Sequence, residues 1–491
     1  MFHIYGHNYI AVELLLHLHR FFTIFAPKLH NCGHPIMKTN EQKDKKPGFL
    51  YHAFKAYIRF LHNVIFYRKT YVVNREAVPS DGTPTLIVSN HQNCMNDPLG
   101  LVTAFTDRKL NVITRADVFM VSPLANKFLR SIGLLPAFRL DYEGEGALDK
   151  NNETFRQSEQ ALIDGATVLM YPEAGHQDKR WLGTFSFGYT KMAFEAAELA
   201  NFEKELFILP ACNHYSHYFG MRNRMLVKFG TPVSIKPYYE LYKTKPRTAQ
   251  REVNKLVREQ ISNLMLDVRD LENYDTIDFI RTTYGAEYAK TQGVDPDDLP
   301  QRLLTDKQLV ACLAEAKAKD EEAVNQIYSI ARELRKDLDI VGITDAHLAN
   351  PVGAATLGFK LLALLVLLPL WIASWWPSLP VYWIPMSIFR AKMKDPMFEG
   401  TLLFGSAALF TLPLFSLITL LTVGLTNGWV EALIYVASFP LIMLFSWWYS
   451  QAAKRTLQSL KCLMRPHAVS MMQQLRKTLW RRLDVLLKRE G

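Results

Sequence analysis

Cysteine is scarce and scattered in this 491-residue chain: the five thiols, Cys32, Cys94, Cys212, Cys312 and Cys462, form no Cys-x-x-Cys and no paired spacing. That excludes a disulfide framework and points to reduced thiols on a cytosolic face. No nucleic-acid motif accompanies the net charge of +10 and the pI near 9.1. The basic residues lie beside apolar helices, so an anionic membrane surface or a phosphorylated substrate suits the charge better than nucleic acid. The N-terminus lacks the basic start and small-residue cleavage site of a signal peptide. Its histidines, His3, His7, His17, His19, His30 and His34, lack metal-ligand spacing. Met37 followed by the polar run Lys38 to Lys46 reads as the true start, and peptides upstream of Met37 in the natural protein would contradict that. Charge is missing from three long stretches near the C-terminus, 361–389, 401–426 and 432–453.

What is present is organised around Leu86-Ile87-Val88-Ser89-Asn90-His91, followed by Gln92-Asn93-Cys94-Met95-Asn96-Asp97-Pro98. The β-branched and apolar run from Thr85 predicts a short buried strand, and Asp97-Pro98 reads as a helix start with its N-cap and a proline at the first position. A histidine at a strand end with a carboxylate six residues on can form a dyad in which Asp97 orients the ring and His91 takes a proton from a hydroxyl. On a continuous helix, residues six apart point roughly 240° apart, so the pair meets only if the segment between them turns. Asn93 to Asn96 supplies turn formers. The plainer reading leaves Asp97 as a cap and His91 as a hydrogen-bonded structural residue. Cys94 has only His91 nearby to activate it, and a thioester on that sulfur is set aside.

Three further blocks follow in order: Gly133-Leu134-Leu135-Pro136-Ala137-Phe138-Arg139, then Tyr171-Pro172-Glu173-Ala174-Gly175, then Leu209-Pro210. Together with Asn90-His91 and Asp97 they resemble the four ordered blocks of the glycerolipid acyltransferase family, over roughly Leu86 to Ile235. The dyad has five residues between His and Asp, one more than the commonest form. Ala174 stands for the usual glycine, and His176 stands where Ser or Thr is common. The resemblance implies that His91 and Asp97 are catalytic, that Arg139 holds a phosphate, and that the block of Glu173 and Gly175 helps hold the acceptor, with Asn90 at the same site. Ser186 and Phe187 precede Gly188 where members often carry a basic residue, so Lys179 and Arg180 are expected to supply that charge. A guanidinium offers a rigid fork to an anionic oxygen pair. The competing readings are a surface arginine paired with Asp141 or Glu143, and a Glu173 that only binds backbone amides in its turn.

The fold class expected is α/β, a mixed sheet flanked by helices, with a helical insertion and a C-terminal transmembrane helical region. Strands are expected at Thr85 to Val88, Asn111 to Thr114, Ala166 to Tyr171, Leu206 to Cys212 and Met225 to Phe229. Helices are expected at Pro98 to Phe105, Pro123 to Ile132, Glu153 to Asp164 (capped by Asn152, ended by Gly165) and Gly188 to Leu199. The domains read as an extension at 1–48, an amphipathic helix at 49–70, an acyltransferase α/β domain at 71–237, a helical region at 238–350, membrane hairpins at 351–453 and a basic amphipathic tail at 454–491. In 49–67, Phe54, Ile58, Leu61 and Ile65 face one way and Lys55, Arg59 and His62 the other, which suits a membrane interface or a docked helix. Two stripes, Val253, Leu256, Val257, Ile261, Leu264 and Val324, Ile327, Ala331, Leu334, Leu338, read as core contacts. The stretch 361–389 is broken by Pro369, Pro377, Pro380 and Pro385, and 401–426 and 432–453 are long enough to span about 30 Å. A hairpin in the first stretch keeps Arg390, Lys392, Lys394, the tail and the catalytic domain on the cytoplasmic side, as the positive-inside tendency requires. In the tail, Met472, Leu475, Leu479, Leu483 and Leu486 suit an interfacial helix.

These readings describe an integral membrane O-acyltransferase that needs no cofactor or metal. It would move a fatty acyl group from acyl-CoA or acyl-carrier protein to a glycerol-phosphate acceptor, 1-acylglycerol 3-phosphate first, with glycerol 3-phosphate or another lysolipid as alternatives. Membrane lipid is a partner and nucleic acid is not. Two other classes compete: a metal-dependent hydrolase with His91 and Asp97 as ligands, which needs a further ligand such as His176 or His214, and a non-catalytic membrane adaptor.

Overall fold

A computed structural model describes residues 48–488, apart from 117–118, 120–122, 138–145, 174, 176–178, 385, 388–390, 392–396, 406 and 409–411. Eight strands form one sheet: β1 (Lys69–Val73), β2 (Thr85–Ser89), β3 (Leu110–Arg115), β4 (Leu134–Ala137), β5 (Thr167–Met170), β6 (Phe207–Tyr215), β7 (Arg224–Phe229) and β8 (Val233–Ser234). They run in the order β1-β7-β6-β2-β5-β3-β4, with β8 against β6. Strands β6, β2, β5, β3 and β4 are mutually parallel, and β7 turns back antiparallel to β6. The sheet is mixed and flanked by helices, the architecture the strand and helix alternation predicts.

Strand β2 is buried on both faces at all five residues, because it lies at the middle of the sheet between β5 and β6. The five expected strands are present, and β1, β4 and β8 are additional. Strand β1 is half-exposed at the sheet edge, β4 carries a proline, and β8 has only two residues, so none shows a clear apolar run. The helices include α1 (Phe49–Phe60), α2 (Asn96–Ala104), α3 (Pro123–Ser131), α4 (Gly146–Ile163) and α5 (Gly188–Leu199). Helix α4 begins at Gly146 rather than Glu153, so Asn152 lies inside it and not at its start. Gly165 ends it as expected. Its φ of +88° and the approach of the Gly82 carbonyl leave no room for a side chain.

Helix α1 continues into a π-helical turn at Leu61–Phe66. The widened turn rotates the apolar stripe, so Ile58, Leu61 and Ile65 pack against Leu101 and Phe105 of the sheet domain while His62 also goes inside. That corrects the expectation of a basic face. Lys55 is buried as well, donating to the Arg108 carbonyl at 2.6 Å, and His62 is pushed down to about 4 by burial. The segment docks on the domain.

Both predicted stripes of the helical region are core contacts. Val253, Val257 and Ile261 of Pro246–Leu264 are fully covered, with Leu256 and Leu264 partly so, and the second stripe is buried throughout Glu321–Val341. The tail forms a helix, Pro466–Lys488, but its apolar face is not available to a membrane. Met472, Leu479 and Leu483 are buried in the helical region's core, and Leu475 and Leu486 pack at its rim.

The apolar stretches divide differently from the expectation. Ala354–Ala373 and Trp429–Met464 are long and apolar enough to cross a membrane, and the first leaves nearly all of its surface uncovered. Within 401–426, residues 406 and 409–411 lie outside the described residues. The described helices on either side of them are Phe398–Phe404 and Leu412–Thr426, and the 15 residues of the second reach about 22 Å. Pro369 lies inside Ala354–Ala373 without ending it, and the chain breaks instead at Ser374 to Trp383. Trp429–Met464 packs against both Ala354–Ala373 and Leu412–Thr426. Arg390, Lys392 and Lys394 lie outside the described residues, as does everything before Gly48.

Candidate active site

Parallel strands end on the same edge of a sheet, so the loops after β2 and β5 meet there, beside the last residues of the longer β6. They deliver His91, Glu173 and Tyr215 to one place. Asn90 sets the register. Its side-chain amide donates to the Asn213 carbonyl at 3.0 Å and accepts from the Asn213 N–H at 2.8 Å, tying the end of β2 to β6. Asn90 is completely buried in this role, which corrects its expected place as a substrate contact.

The turn between His91 and Asp97 closes as the dyad requires. Asp97 Oδ2 lies 2.8 Å from His91 Nδ1 and accepts the backbone N–H groups of Gln92 and Asn93, each at 2.7 Å. Tyr215 donates its hydroxyl to the other oxygen, Oδ1, at 2.6 Å. Helix α2 begins at Asn96, so Asp97 sits in its first turn and reaches backwards rather than capping it. A carboxylate with no exposure at all is thus held by four donors, which offsets the cost of burying its charge. Cys94, at φ +41°, reverses the chain within the turn. The His91 ring stacks on Tyr171, centroids 4.4 Å apart and planes 26° apart, and one-fifth of its side chain stays open to solvent. Asp97 fixes the ring through Nδ1, so the tautomer that donates there carries its lone pair on Nε2.

Glu173 supports the same loop from behind. Oε1 accepts the His91 N–H at 2.9 Å and Oε2 the Gly183 N–H at 2.7 Å. Burial pushes its carboxyl up to about 7, against the pull of those two amides. The reading of Glu173 as a binder of backbone amides therefore describes its geometry, and both of its oxygens are engaged within the protein. Gly175 is half-buried in the bend that follows. Arg139, Ala174 and His176 lie outside the described residues.

Arg180 is a correction. Its guanidinium is buried, donates to the Tyr215 carbonyl at 3.0 Å, lies over the Tyr218 ring and faces Asp278 at 3.8 Å. Asp278 in turn binds Arg281, which joins Asp306 and Arg302 in a network linking the sheet to the helical region. Lys179 lies at the surface of the same loop, with Nζ 5.0 Å from the Tyr274 ring, and its carbonyl accepts from Gln92. His214, which a metal reading would recruit, is held well below its ordinary pKa, first by burial and then by the charges of Arg180, Arg281 and Arg302. Among the described residues no three His, Cys, Asp or Glu side chains gather in a metal-binding group.

The chain's own pattern left several contributors unmarked: Tyr171, Tyr215 and Gln92, whose side chain accepts from the Tyr218 hydroxyl at 2.8 Å. The one available signal was the polar run Asn213-His214-Tyr215 at the end of an otherwise apolar strand.

A family model described as Acyltransferase matches residues 69–214, which hold β1 to β5, all of β6 but Tyr215, and the whole dyad. Residues 69–214 thus form an acyltransferase domain similar to those of the glycerolipid acyltransferases. "Glycerol-3-phosphate O-acyltransferase 2" of Saccharomyces cerevisiae is 26% identical over 196 residues, 40% of this chain and 25% of that protein. "Uncharacterized acyltransferase C1718.04" of Schizosaccharomyces pombe is 30% identical over 125 residues, 25% of this chain and 18% of that protein. The match thus spans a quarter or less of these relatives' own length. A solved structure, the 1-acyl-sn-glycerophosphate (LPA) acyltransferase PlsC of Thermotoga maritima, aligns at 15% identity and a TM-score of 0.31, over 51% of this chain and 92% of that one. In this acyltransferase domain the blocks quoted from the sequence fall on β2 and its turn, on β4, on the loop after β5 and on β6.

Proposed function

We propose that this chain is a membrane-bound O-acyltransferase that moves a fatty acyl group from an acyl thioester to a hydroxyl of a glycerol phosphate. The observation that carries the reading is the His91–Asp97 pair at the sheet edge, with the ring fixed through Nδ1 by a fully buried carboxylate. Nε2 takes the proton of the acceptor hydroxyl as its oxygen attacks the thioester carbonyl. The tetrahedral adduct then collapses, expelling the thiolate, and the proton on His91 returns to the sulfur. Asp97 stabilises the imidazolium between these steps, and general-base help of this kind is worth about 10² to 10⁴ in rate. Arg139 is assigned to the acceptor phosphate on the family resemblance, while Arg180 is spent inside the fold and Lys179 stays at the surface of its loop.

The activity in the name of the S. cerevisiae relative supports glycerol 3-phosphate as the acceptor. The second reading, 1-acylglycerol 3-phosphate, is favoured by the contact between the dyad turn and the apolar C-terminal helices, because an acceptor with its own acyl chain would lie along them. Ala354–Ala373 and Trp429–Met464 support membrane residence, with the catalytic domain on the cytoplasmic face. The test is acyl transfer by membranes carrying wild type, His91→Ala or Arg139→Ala. Labelled acyl-CoA and acyl-carrier protein are each offered with glycerol 3-phosphate, 1-acylglycerol 3-phosphate and other lysolipids. Transfer that disappears in His91→Ala and shows a raised acceptor KM in Arg139→Ala supports the assignment, and equal transfer by His91→Ala ends it.

A further inference from the structure

The turn between His91 and Asp97 is held from two sides. Asp97 takes the amides of Gln92 and Asn93, and the Asn96 N–H returns to the Asn93 carbonyl at 2.9 Å. The Met95 N–H goes elsewhere, to the hydroxyl of Thr401 at 2.9 Å, a residue 306 positions away in the short helix Phe398–Phe404. The same helix approaches the turn so closely at Gly400 that an added Cβ would stand 2.5 Å from Asn96 Nδ2 and 3.3 Å from Asn93 Oδ1. That Asn96 amide is itself donating to Asn93 Oδ1 at 3.1 Å and is wholly buried, so it has nowhere to retreat. One turn further on, a Cβ at Gly405 would stand 3.0 Å from the Met95 side chain. Leu403 and Phe404 meanwhile sit in one apolar cluster with Leu101 and Phe105 of the sheet domain.

We propose that Gly400 and Thr401 are positioning residues of the active site, so that the apolar C-terminal segment shapes the turn that sets His91 against Asp97 and is more than an anchor. The proposal rests on the acyltransferase reading of the dyad. Asp97 grips the first half of the turn. Thr401 grips the second half from the C-terminal segment, and Gly400 is the residue type that allows the helix to come near enough to do it. A shift of the turn alters the path along which Nε2 meets the acceptor hydroxyl, while surfaces that bind acceptor and donor stay in place. The loss therefore falls on kcat and not on KM.

The experiment compares the full chain in membranes as wild type, Thr401→Val, Thr401→Ser, Gly400→Val and His91→Ala, reading kcat, acceptor KM and backbone hydrogen exchange over residues 92–97. Thr401→Val keeps the side-chain shape and removes the acceptor. It should lower kcat about tenfold or more with KM within about twofold, and speed exchange across the turn. Thr401→Ser restores the hydroxyl and should recover most of the rate and the protection. Gly400→Val should follow Thr401→Val in both readouts. Wild-type kcat and exchange in Thr401→Val, or an equal loss in Thr401→Ser, overturns the proposal. A wild-type chain with no transferase activity in any pairing overturns the functional reading alone, and the exchange comparison still judges the contact between Thr401 and Met95.

Discussion

Asp97→Asn isolates the charge of the dyad from its shape. An asparagine can set its carbonyl oxygen where Oδ2 lies, keeping an acceptor for His91 Nδ1 and for the amides of Gln92 and Asn93, and its NH2 can donate to the Tyr215 oxygen. The turn should survive, so what is lost is the attraction between a carboxylate and the imidazolium formed as the acceptor gives up its proton. At an effective dielectric constant of about 20 and a charge separation of about 4 Å, that attraction is roughly 4 kcal/mol. Some of it was already offset by the other donors on the carboxylate, and each ~1.4 kcal/mol is a factor of ten, so kcat should fall by about 10² to 10³. Acceptor KM should move by no more than a few fold, because Asp97 is fully buried and offers the acceptor no surface. The assay is steady-state acyl transfer in membranes, with protease resistance as the check on folding. A well-folded Asp97→Asn chain whose kcat lies within tenfold of wild type would refute the claim that His91 acts as a base supported by this carboxylate.

Tyr215→Phe removes the hydroxyl that donates to Asp97 Oδ1 and leaves that oxygen buried, so stability should fall by about 1–3 kcal/mol, read as a lower thermal midpoint. Dyad geometry through Oδ2 persists, so its effect on kcat should be far smaller than that of Asp97→Asn. Glu173 holds its proton to about 7 in the folded chain against an ordinary 4.5. The unfolded chain releases that proton first, so the stability linked to it is fully present below about 4.5 and is lost as pH rises through about 7, on the order of 3 kcal/mol in all. Thermal midpoints from pH 5 to 8 should fall in wild type and flatten in Glu173→Gln. Arg180→Met breaks the buried contacts to Tyr215 and Asp278 and should cost about 3 kcal/mol of stability. It should leave acceptor KM within about twofold, and a raised KM with unchanged stability would return Arg180 to the phosphate site.

The centre of the fold was legible because β2 is a β-branched run buried on both faces, and periodicity reports burial. Edges carry no such mark: β1 alternates weakly against solvent on one side, and β4 contains Pro136, so each is recognisable only once its neighbour is in place. In the site, His91 and Asp97 could be read together because six residues and a run of turn formers fix their meeting locally. Tyr215 and Thr401 could not, since they reach Asp97 and Met95 across 118 and 306 positions through pairings that exist only in the folded chain. Arg180 misled for a related reason. A basic residue beside a functional loop looks the same in sequence whether it faces a ligand or a buried aspartate contributed by a distant helix. The amphipathic tail misled in the same way, since an apolar stripe does not say whether lipid or protein covers it.

The docking of that tail closes the chain into a circuit. Arg476 pairs with Asp345 at 2.7 Å, Gln473 donates to the Leu348 carbonyl at 3.1 Å, and Lys461 reaches the Gly342 carbonyl at 3.3 Å. The point where the polypeptide departs into its apolar excursion, near Leu348, and the point where it comes back, near Pro466, are therefore clasped together. A path that leaves and rejoins one spot pierces any intervening partition an even number of times. Parity then does what counting hydrophobic stretches cannot: a crossing by Ala354–Ala373 would require a return crossing before Pro466. On the membrane-bound reading proposed above, the sheet, the helical region and the basic tail therefore share one compartment.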